Sequence, residues 1–302
     1  MIKLLEKNCK FLITGATGFI GSKLCEEILK DGHKIVALTR QKNITSPHEN
    51  LKYINDLNEI DFDFDIVINL AGSPISVRWT KCAKSQIYNS RIDITKQIVE
   101  KILASKKPPR LFISGSAIGY YGTSSSIIFS ENSQPTNQDL FSQKLCRDWE
   151  NIANQVNQKT RVVLLRTSVV VGKNGGIIKK LLLPFKMGLG GNIGNGLQDM
   201  SWIFIDDFIR AINHIIKDFS LRGGVNLVSP KTTTNQEFSQ KLASLLNRPC
   251  IIDMPAPIVK IIFGEMGEEL LLSSQKIAPL KLTESGFDFD VINIEDAIKK
   301  SI

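Results

Sequence analysis

The sequence predicts a Rossmann-type α/β fold, a doubly wound parallel sheet with a smaller C-terminal α/β substrate domain. Three observations lead there. A short apolar strand, Phe11-Leu-Ile-Thr14, runs into glycines at 15, 18 and 21 and then into a helical pattern. Strand and helix signals alternate through the first two-thirds of the chain, as in a parallel sheet covered by helices. Several strands are continuous apolar runs, for example Ile66-Val-Ile-Asn-Leu70 and Val162-Val-Leu-Leu165, the pattern of strands buried on both faces.

The elements follow in order. Strands are expected near 10–15, 33–39, 52–55, 65–71, 110–116 and 161–170. After the glycines, Ile20, Leu24 and Ile28 recur every fourth residue until Gly32 ends a helix. Segments 80–104 and 138–157 have helical length and period, and Lys106-Lys-Pro-Pro109 closes the first. From 172 to 204 glycines punctuate a segment with few strand signals, which reads as a loop-rich lid. Beyond 218 come a strand (Gly224 to Val228), a helix from Thr234 to Leu246, and shorter pieces near Pro255, Pro257 and Gly264. The expected division is therefore 1–217 for the dinucleotide-binding domain, with the lid 172–204 contributing to the substrate site, and 218–302 for the substrate domain.

Composition narrows the function. With 302 residues, 42% of them apolar, the chain can bury a large core. No apolar run approaches the ~20 residues needed to span a bilayer, so no membrane association is expected. No N-terminal apolar leader is visible, and the five cysteines are scattered without a Cys-x-x-Cys pair; a reduced, cytoplasmic compartment is the expectation. The net charge of +8 lacks a basic run interleaved with aromatics, which argues against nucleic acid. A mild positive field instead suits phosphorylated small molecules. His33, His48 and His214 fall in neither a triad pattern nor metal-ligand spacing, so no metal is expected.

The glycine motif has a mechanism. Gly15 permits a tight turn, Gly18 lets the main chain approach a pyrophosphate, and Gly21 lets helix and strand pack closely. The helix N-terminus then presents unpaired N–H groups and a positive dipole end to the phosphates. NAD enzymes place an acid after the second strand, about 20 residues beyond the last glycine, to hold the ribose 2′-hydroxyl. Here Thr39 and Arg40 stand there instead, and a guanidinium fork suits a 2′-phosphate. NADP is the expected cofactor. Asp56, just past the third strand, suits either an adenine amino group or a turn.

The glycine motif, Asn69-Leu-Ala-Gly72, Ile113-Ser-Gly-Ser-Ala117 and Ile205-Asp-Asp207 together resemble the extended short-chain dehydrogenase/reductases, the nucleotide-sugar epimerase superfamily. Arg78-Trp79-Thr80, Ser116-Ala-Ile-Gly-Tyr-Tyr-Gly122, Cys146-Arg-Asp-Trp-Glu150, Leu183-Pro-Phe185 with Gly188-Leu-Gly-Gly191, and Met200-Ser-Trp202 resemble an atypical, epimerase-like subgroup with a C-terminal domain of unknown function. That subgroup usually has a histidine before Ile-Asp-Asp, where this chain has Phe204. The resemblance implies cofactor contacts at Gly15, Thr17, Gly18, Phe19, Ile20 and Arg40, at Asp56 and Leu57, and at Leu70, Ala71 and Gly72. Thr39 and Arg91 join that cofactor set. Dimerisation through a two-helix face would likewise follow the superfamily.

Catalysis in that superfamily uses Tyr-x-x-x-Lys beside a Ser or Thr, the lysine charge lowering the tyrosine pKa. The residues four beyond this chain's tyrosines are Leu57, Ile92, Ser124 and Ser125, so the pair is missing. Phenylalanine occupies roughly the tyrosine position in Asp139-Leu-Phe-Ser-Gln-Lys144. Replacement candidates are Ser116, the phenols of Tyr120 and Tyr121, and Lys144. Arg78, Trp79 and Arg91 can meet a ligand by forked pairing or stacking, and Gln198, Ser201 and Trp202 can close over it; core packing suits both tryptophans equally well. The expected function is an NADP-binding, epimerase-like oxidoreductase acting on a small polar or nucleotide-linked substrate. The alternative is a non-catalytic NADP-binding sensor that lacks the Tyr/Lys pair.

Overall fold

The computed structural model describes residues 8–136 and 138–302. Seven parallel strands form the central sheet: β1 (Lys10–Thr14), β2 (Lys34–Leu38), β3 (Leu51–Ile54), β4 (Ile66–Asn69), β5 (Leu111–Ala117), β6 (Arg161–Thr167) and β7 (Gly223–Leu227). Their spatial order is β7-β6-β5-β4-β1-β2-β3. The chain steps outward from β1 to β3, then restarts on the other side of β1 with β4. Ligands of open α/β sheets bind at that reversal, outside the carboxyl ends of the strands. Phe11 of β1 lies opposite Ile35 of β2 and Ile66 of β4, which sets the register there.

Nine helices are present among the described residues: α1 (Phe19–Lys30), α2 (Lys81–Ala104), α3 (Phe141–Ala153), α4 (Gly176–Lys186), α5 (Ile205–Lys217), α6 (Asn235–Leu245), α7 (Ala256–Phe263), α8 (Leu280–Glu284) and α9 (Ile294–Lys299). Strand alternation sends Phe11 and Ile13 into one core with Leu24 and Ile28 of α1 and Phe208 and Ile212 of α5. Leu12, Val67 and Phe112 enter the opposite core with Ile98 and Ile102 of α2. Both faces are thus buried, which is why these strands read as unbroken apolar runs. The helix ends obey local chemistry. Thr80 Oγ1 accepts from Ala83 N at the start of α2, and Thr234 Oγ1 accepts from Glu237 N at the start of α6. Gly32, at φ +78°, turns the chain out of α1.

Three expectations need correction. First, a boundary after 217 would cut β7 from the dinucleotide domain, yet β7 is hydrogen-bonded to β6, with Val225 opposite Leu165. The chain beyond it also returns to the sheet: Leu282 of α8 enters the core that holds Phe11, and Asp207 accepts from Asp290 N and Val291 N, each at 2.9 Å. Second, the lid contains α4, an 11-residue helix that holds Pro184 near its end. Proline there has no amide to donate to the carbonyl four residues back, so the last turn of α4 has one backbone bond fewer. Third, the strand expected at 161–170 breaks after Thr167. Residues Val169–Val171 leave the sheet and pair in parallel with Trp202–Phe204.

Among the described residues no helix is long and apolar enough to cross a membrane, and no cluster of three metal-ligating side chains occurs.

Candidate active site

The cradle begins where β1 ends. Gly15 has φ +73°, and a Cβ there would stand 2.7 Å from Leu70 O, so only glycine fits this turn. A Cβ on Gly21 would lie 2.2 Å from Gly15 O, which brings α1 directly against the loop. Gly18 N donates to Gly15 O at 3.0 Å, leaving Gly18 as the N-cap of α1. No side chain caps that helix, and no acid lies in its first turn. The opening amides of Phe19, Ile20 and Gly21 and the positive dipole end therefore suit an anion. The Phe19 ring is wrapped by glycines on the far side: a Cβ on Gly172 would come within 2.9 Å of it, and one on Gly175 within 2.0 Å.

At the end of β2, Asn55 Nδ2 donates to Thr39 O at 2.7 Å and to Gln41 O at 3.0 Å. This pins the turn and leaves Arg40 exposed, with no ion pair among the described residues. Asp56 takes part in the turn: its carboxylate accepts from Asn58 N and its own N–H donates to Glu59, each at 2.9 Å, a capping box that starts a short 3₁₀ turn. Leu57 points down into the core. On the opposite rim, Leu70 N and Ala71 N donate to Thr14 O and Thr14 Oγ1. Thr14, Asn69, Thr95 and Trp149 form a buried hydrogen-bonded chain, with Thr14 Oγ1 donating to Asn69 at 2.6 Å and both Asn69 Nδ2 and Trp149 Nε1 donating to Thr95 Oγ1 at 2.8 Å. It ties the ends of β1 and β4 to α2 and α3. Arg91 lies against Gly72, where a Cβ would stand 2.8 Å from Cζ. Its guanidinium donates to Ile87 O at 3.0 Å and sits 5.5 Å over the Trp149 ring. Burial lowers its pKa from the ordinary arginine value, and among the described residues it has no carboxylate partner, so an anion on this rim would be welcome.

At the end of β5, Ser116 Oγ donates to Glu150 Oε1 at 2.7 Å. Arg166 grips the same carboxylate with two bonds of 2.9 Å, and its third arm donates to Tyr121 Oη at 2.9 Å. Tyr121 Oη in turn donates to Asn226 Oδ1 at 2.8 Å. Burial works against the Arg166 charge, but the Glu150 carboxylate overrides it and holds the guanidinium above its ordinary pKa. Burial also pushes the Tyr121 phenol up to about 12, with Arg166 opposing it. Ser116 and Tyr121, two of the four candidate proton carriers, thus belong to one network. Tyr121 is fully enclosed, so its phenol is a strut for Arg166. Lys144 is not brought to them. Ser142, Cys146 and Glu150 share the buried face of α3, whereas Lys144 projects to the other side, pairs with Asp148 and lies over the Tyr88 ring.

The tyrosine position is filled by Phe141, packed edge-on against Trp79 at 4.9 Å. The first turn of α3 is capped from the far end of the chain: Glu269 accepts from Phe141 N and Ser142 N at 3.0 Å and from Ser142 Oγ at 2.6 Å. Cys146 beneath it is a neutral thiol, pushed by burial up to about 12. The remaining expected ligand contacts have structural partners. Arg78 donates to Ile261 O at the end of α7. Gln198 and Ser201 tie the lid to 271 and to 275–277, and Trp202 and Phe204 lie in the core between α4 and α6. The sequence reading passed over Glu150, Arg166 and Glu269. One signal was available: an arginine inside the apolar strand of residues 161–167 demands a buried acid.

The NAD dependent epimerase/dehydratase family matches residues 11–227, and a domain of unknown function, DUF1731, matches 254–301. The chain is 36% identical to the chloroplastic epimerase family protein SDR39U1 homolog of Arabidopsis thaliana, over 97% of this chain and 87% of that one. It is 36% identical to an epimerase family protein of Staphylococcus saprophyticus, over 96% and 98%. Among solved structures, human epimerase family protein SDR39U1, crystallised with NADPH, superposes with a TM-score of 0.87 at 29% identity, over 96% of this chain and 98% of that one. With the match spanning the whole sheet and the glycine cradle in place, the chain belongs to the NAD dependent epimerase/dehydratase family.

Proposed function

We propose that the chain binds NADPH and catalyses hydride exchange with a small polar or nucleotide-linked carbonyl compound, with Ser116 standing in for the missing tyrosine. The supporting observation is the Ser116–Glu150–Arg166 chain at the carboxyl end of β5, beside a cradle whose donors meet no acid. In this reading the amides of residues 19–21 receive the pyrophosphate, Arg40 the 2′-phosphate, Asp56 the adenine edge, and Leu70 to Gly72 with Arg91 the nicotinamide side. The human relative crystallised with NADPH supports the same choice of coenzyme. The coenzyme, when bound, exchanges a hydride with the carbinol carbon. In the direction of alcohol oxidation, Ser116 Oγ accepts the substrate hydroxyl proton while its own proton passes to Glu150. Arg166 keeps that carboxylate aimed at Ser116, and Tyr121 keeps Arg166 in place. Reduction runs the same transfers backwards.

Absorbance of NADPH, followed across a panel of carbonyl compounds, tests the reading. Turnover that Ser116→Ala abolishes while NADPH still binds is the expected result. The second reading, a coenzyme-binding sensor, draws its support from Phe141 and Trp79 filling the tyrosine position. Tight NADPH binding with no oxidation by any compound of the panel would favour it over the enzyme.

A further inference from the structure

The turn that leads into α4 sets the lid against the coenzyme cradle. Asn174 and Gly176 have φ of +64° and +57°, and a Cβ on Gly176 would stand 2.1 Å from Val170 O, so only glycine closes this turn. Helix α4 therefore starts on the Phe19 ring, which a Cβ on Gly175 would meet at 2.0 Å. Between α1 and α4 lies a cavity of about 680 Å³, within the range of small-molecule sites. Thr17, Gly18 and Phe19 of the cradle line it, together with Lys23 of α1 and three lysines of the lid, Lys173, Lys179 and Lys180.

The charges on this lining do not cancel. Lys23 is paired with Asp206 of α5. Glu26, the one acid on the lining, is paired with Lys30 at 2.8 Å. Lys173, Lys179 and Lys180 make no ion pair among the described residues. Three ammonium groups thus share one cavity without a free carboxylate on its lining. Partial burial lowers the Lys180 ammonium below the ordinary lysine pKa, a cost that a nearby anion would offset. The coenzyme carries the complementary charge. Arg40 takes its 2′-phosphate in the reading proposed above, but its diphosphate meets only backbone amides there. The opening of α1 is equivalent to about half a positive charge, against two negative charges on a diphosphate.

Resting on that reading, we propose that Lys179 and Lys180, with Lys173 beside them, reach across the cavity to the coenzyme's diphosphate and hold it from the lid side, so that the coenzyme is clamped between α1 and α4. A lysine ammonium suits this task, as a point charge with three donors on a flexible stem. The test is titration of the full chain with NADPH and with NADH, read by coenzyme fluorescence at low and high salt. Lys179→Ala combined with Lys180→Ala should weaken both coenzymes by the same factor, at least about tenfold, and should flatten the salt dependence. Both coenzymes carry the same diphosphate, so the ratio of their affinities should stay at its native value. Lys180→Glu should weaken both more than Lys180→Ala does. These side chains are exposed, so melting without ligand should not move. In the native chain NADPH should shield Lys179 and Lys180 from acetylation, as read by mass spectrometry. The clamp is overturned by a double variant that binds both coenzymes within twofold of the native chain, by a loss confined to NADPH, which would move the lysines to the 2′-phosphate, or by inorganic pyrophosphate that binds the NADPH-saturated chain and loses that binding in the double variant, which would make the cavity a separate anion site. A native chain that binds neither coenzyme would overturn the coenzyme reading as well, whereas indifferent lysine variants in a chain that binds NADPH overturn the clamp alone.

Discussion

Replacing Glu150 by glutamine keeps the shape of the side chain and removes its charge, which leaves Arg166 facing a neutral amide in a pocket where both side chains are less than one-tenth exposed. Two charge-assisted bonds from Arg166 and one bond from Ser116 end on that carboxylate. An amide has one acceptor oxygen, so at least one guanidinium N–H faces an NH₂ group instead. Breaking a buried pair from one side costs about 3–5 kcal/mol, chiefly because the remaining charge stays desolvated. Unfolding entropy near 2.1 cal/mol/K per residue over 302 residues converts each kcal/mol into roughly 1.6 °C, so Glu150→Gln should lower Tm by about 5–8 °C. The double variant Glu150→Gln, Arg166→Met removes the stranded charge and should recover at least half of that loss. Scanning calorimetry on Glu150→Gln, Arg166→Met and the double variant, with the native chain as the fourth corner, gives the coupling directly. A Glu150→Gln protein that melts within about 1 °C of the native one, or a double variant worse than the single, would refute the view that Arg166 depends on this carboxylate.

Other outcomes follow from the same geometry. Arg40→Gln should weaken NADPH binding by about 2–3 kcal/mol, roughly 30- to 150-fold, with NADH affinity unchanged, because only the 2′-phosphate loses a partner; titration of coenzyme fluorescence reads it. Glu269→Ala removes the cap of α3 and should cost about 1–2 kcal/mol in urea unfolding. Alkali should destabilise the fold through Cys25, Cys146 and Tyr121, which burial pushes up to about 12. The unfolded chain releases these protons from about pH 9 to 10 while the native fold keeps them, so stability is intact below that range. It falls as pH rises towards 12, by up to about 1.4 kcal/mol per pH unit for each group. Urea midpoints compared near pH 8 and near pH 10.5 give the sign.

Local patterns carried most of what was readable in the sequence. The glycine loop, its strand and its helix declare themselves within a dozen residues, because backbone sterics at Gly15 and Gly21 leave no substitute. Strands buried on both faces announce themselves as apolar runs. What lay beyond reading was long-range. Glu150 and Arg166 sit on different elements, and Glu269 reaches the start of α3 across more than a third of the chain, so neither pairing leaves a local trace. Lys144 was credited with a site role for its place in a motif, but helical phase turns it away from Ser142, Cys146 and Glu150. The glycines around 172–204 hid α4, since they punctuate the segment on both sides of it and read as a loop. The same change of texture drew a boundary ahead of β7, which the sheet claims.

The Phe19 ring, enclosed by Gly172 and Gly175, begins the helix that would face the coenzyme's phosphates and at the same time is the seat on which the lid's first turn rests. The backbone of Gly175 lies directly on one side of the half-buried ring, so a tilt of α4 towards α1 pushes the aromatic ring and, with it, the amide next to Gly18. A molecule that repositions the lid would therefore alter how tightly a nucleotide bound at the cradle is held, and the nucleotide would alter that molecule's grip by an equal factor.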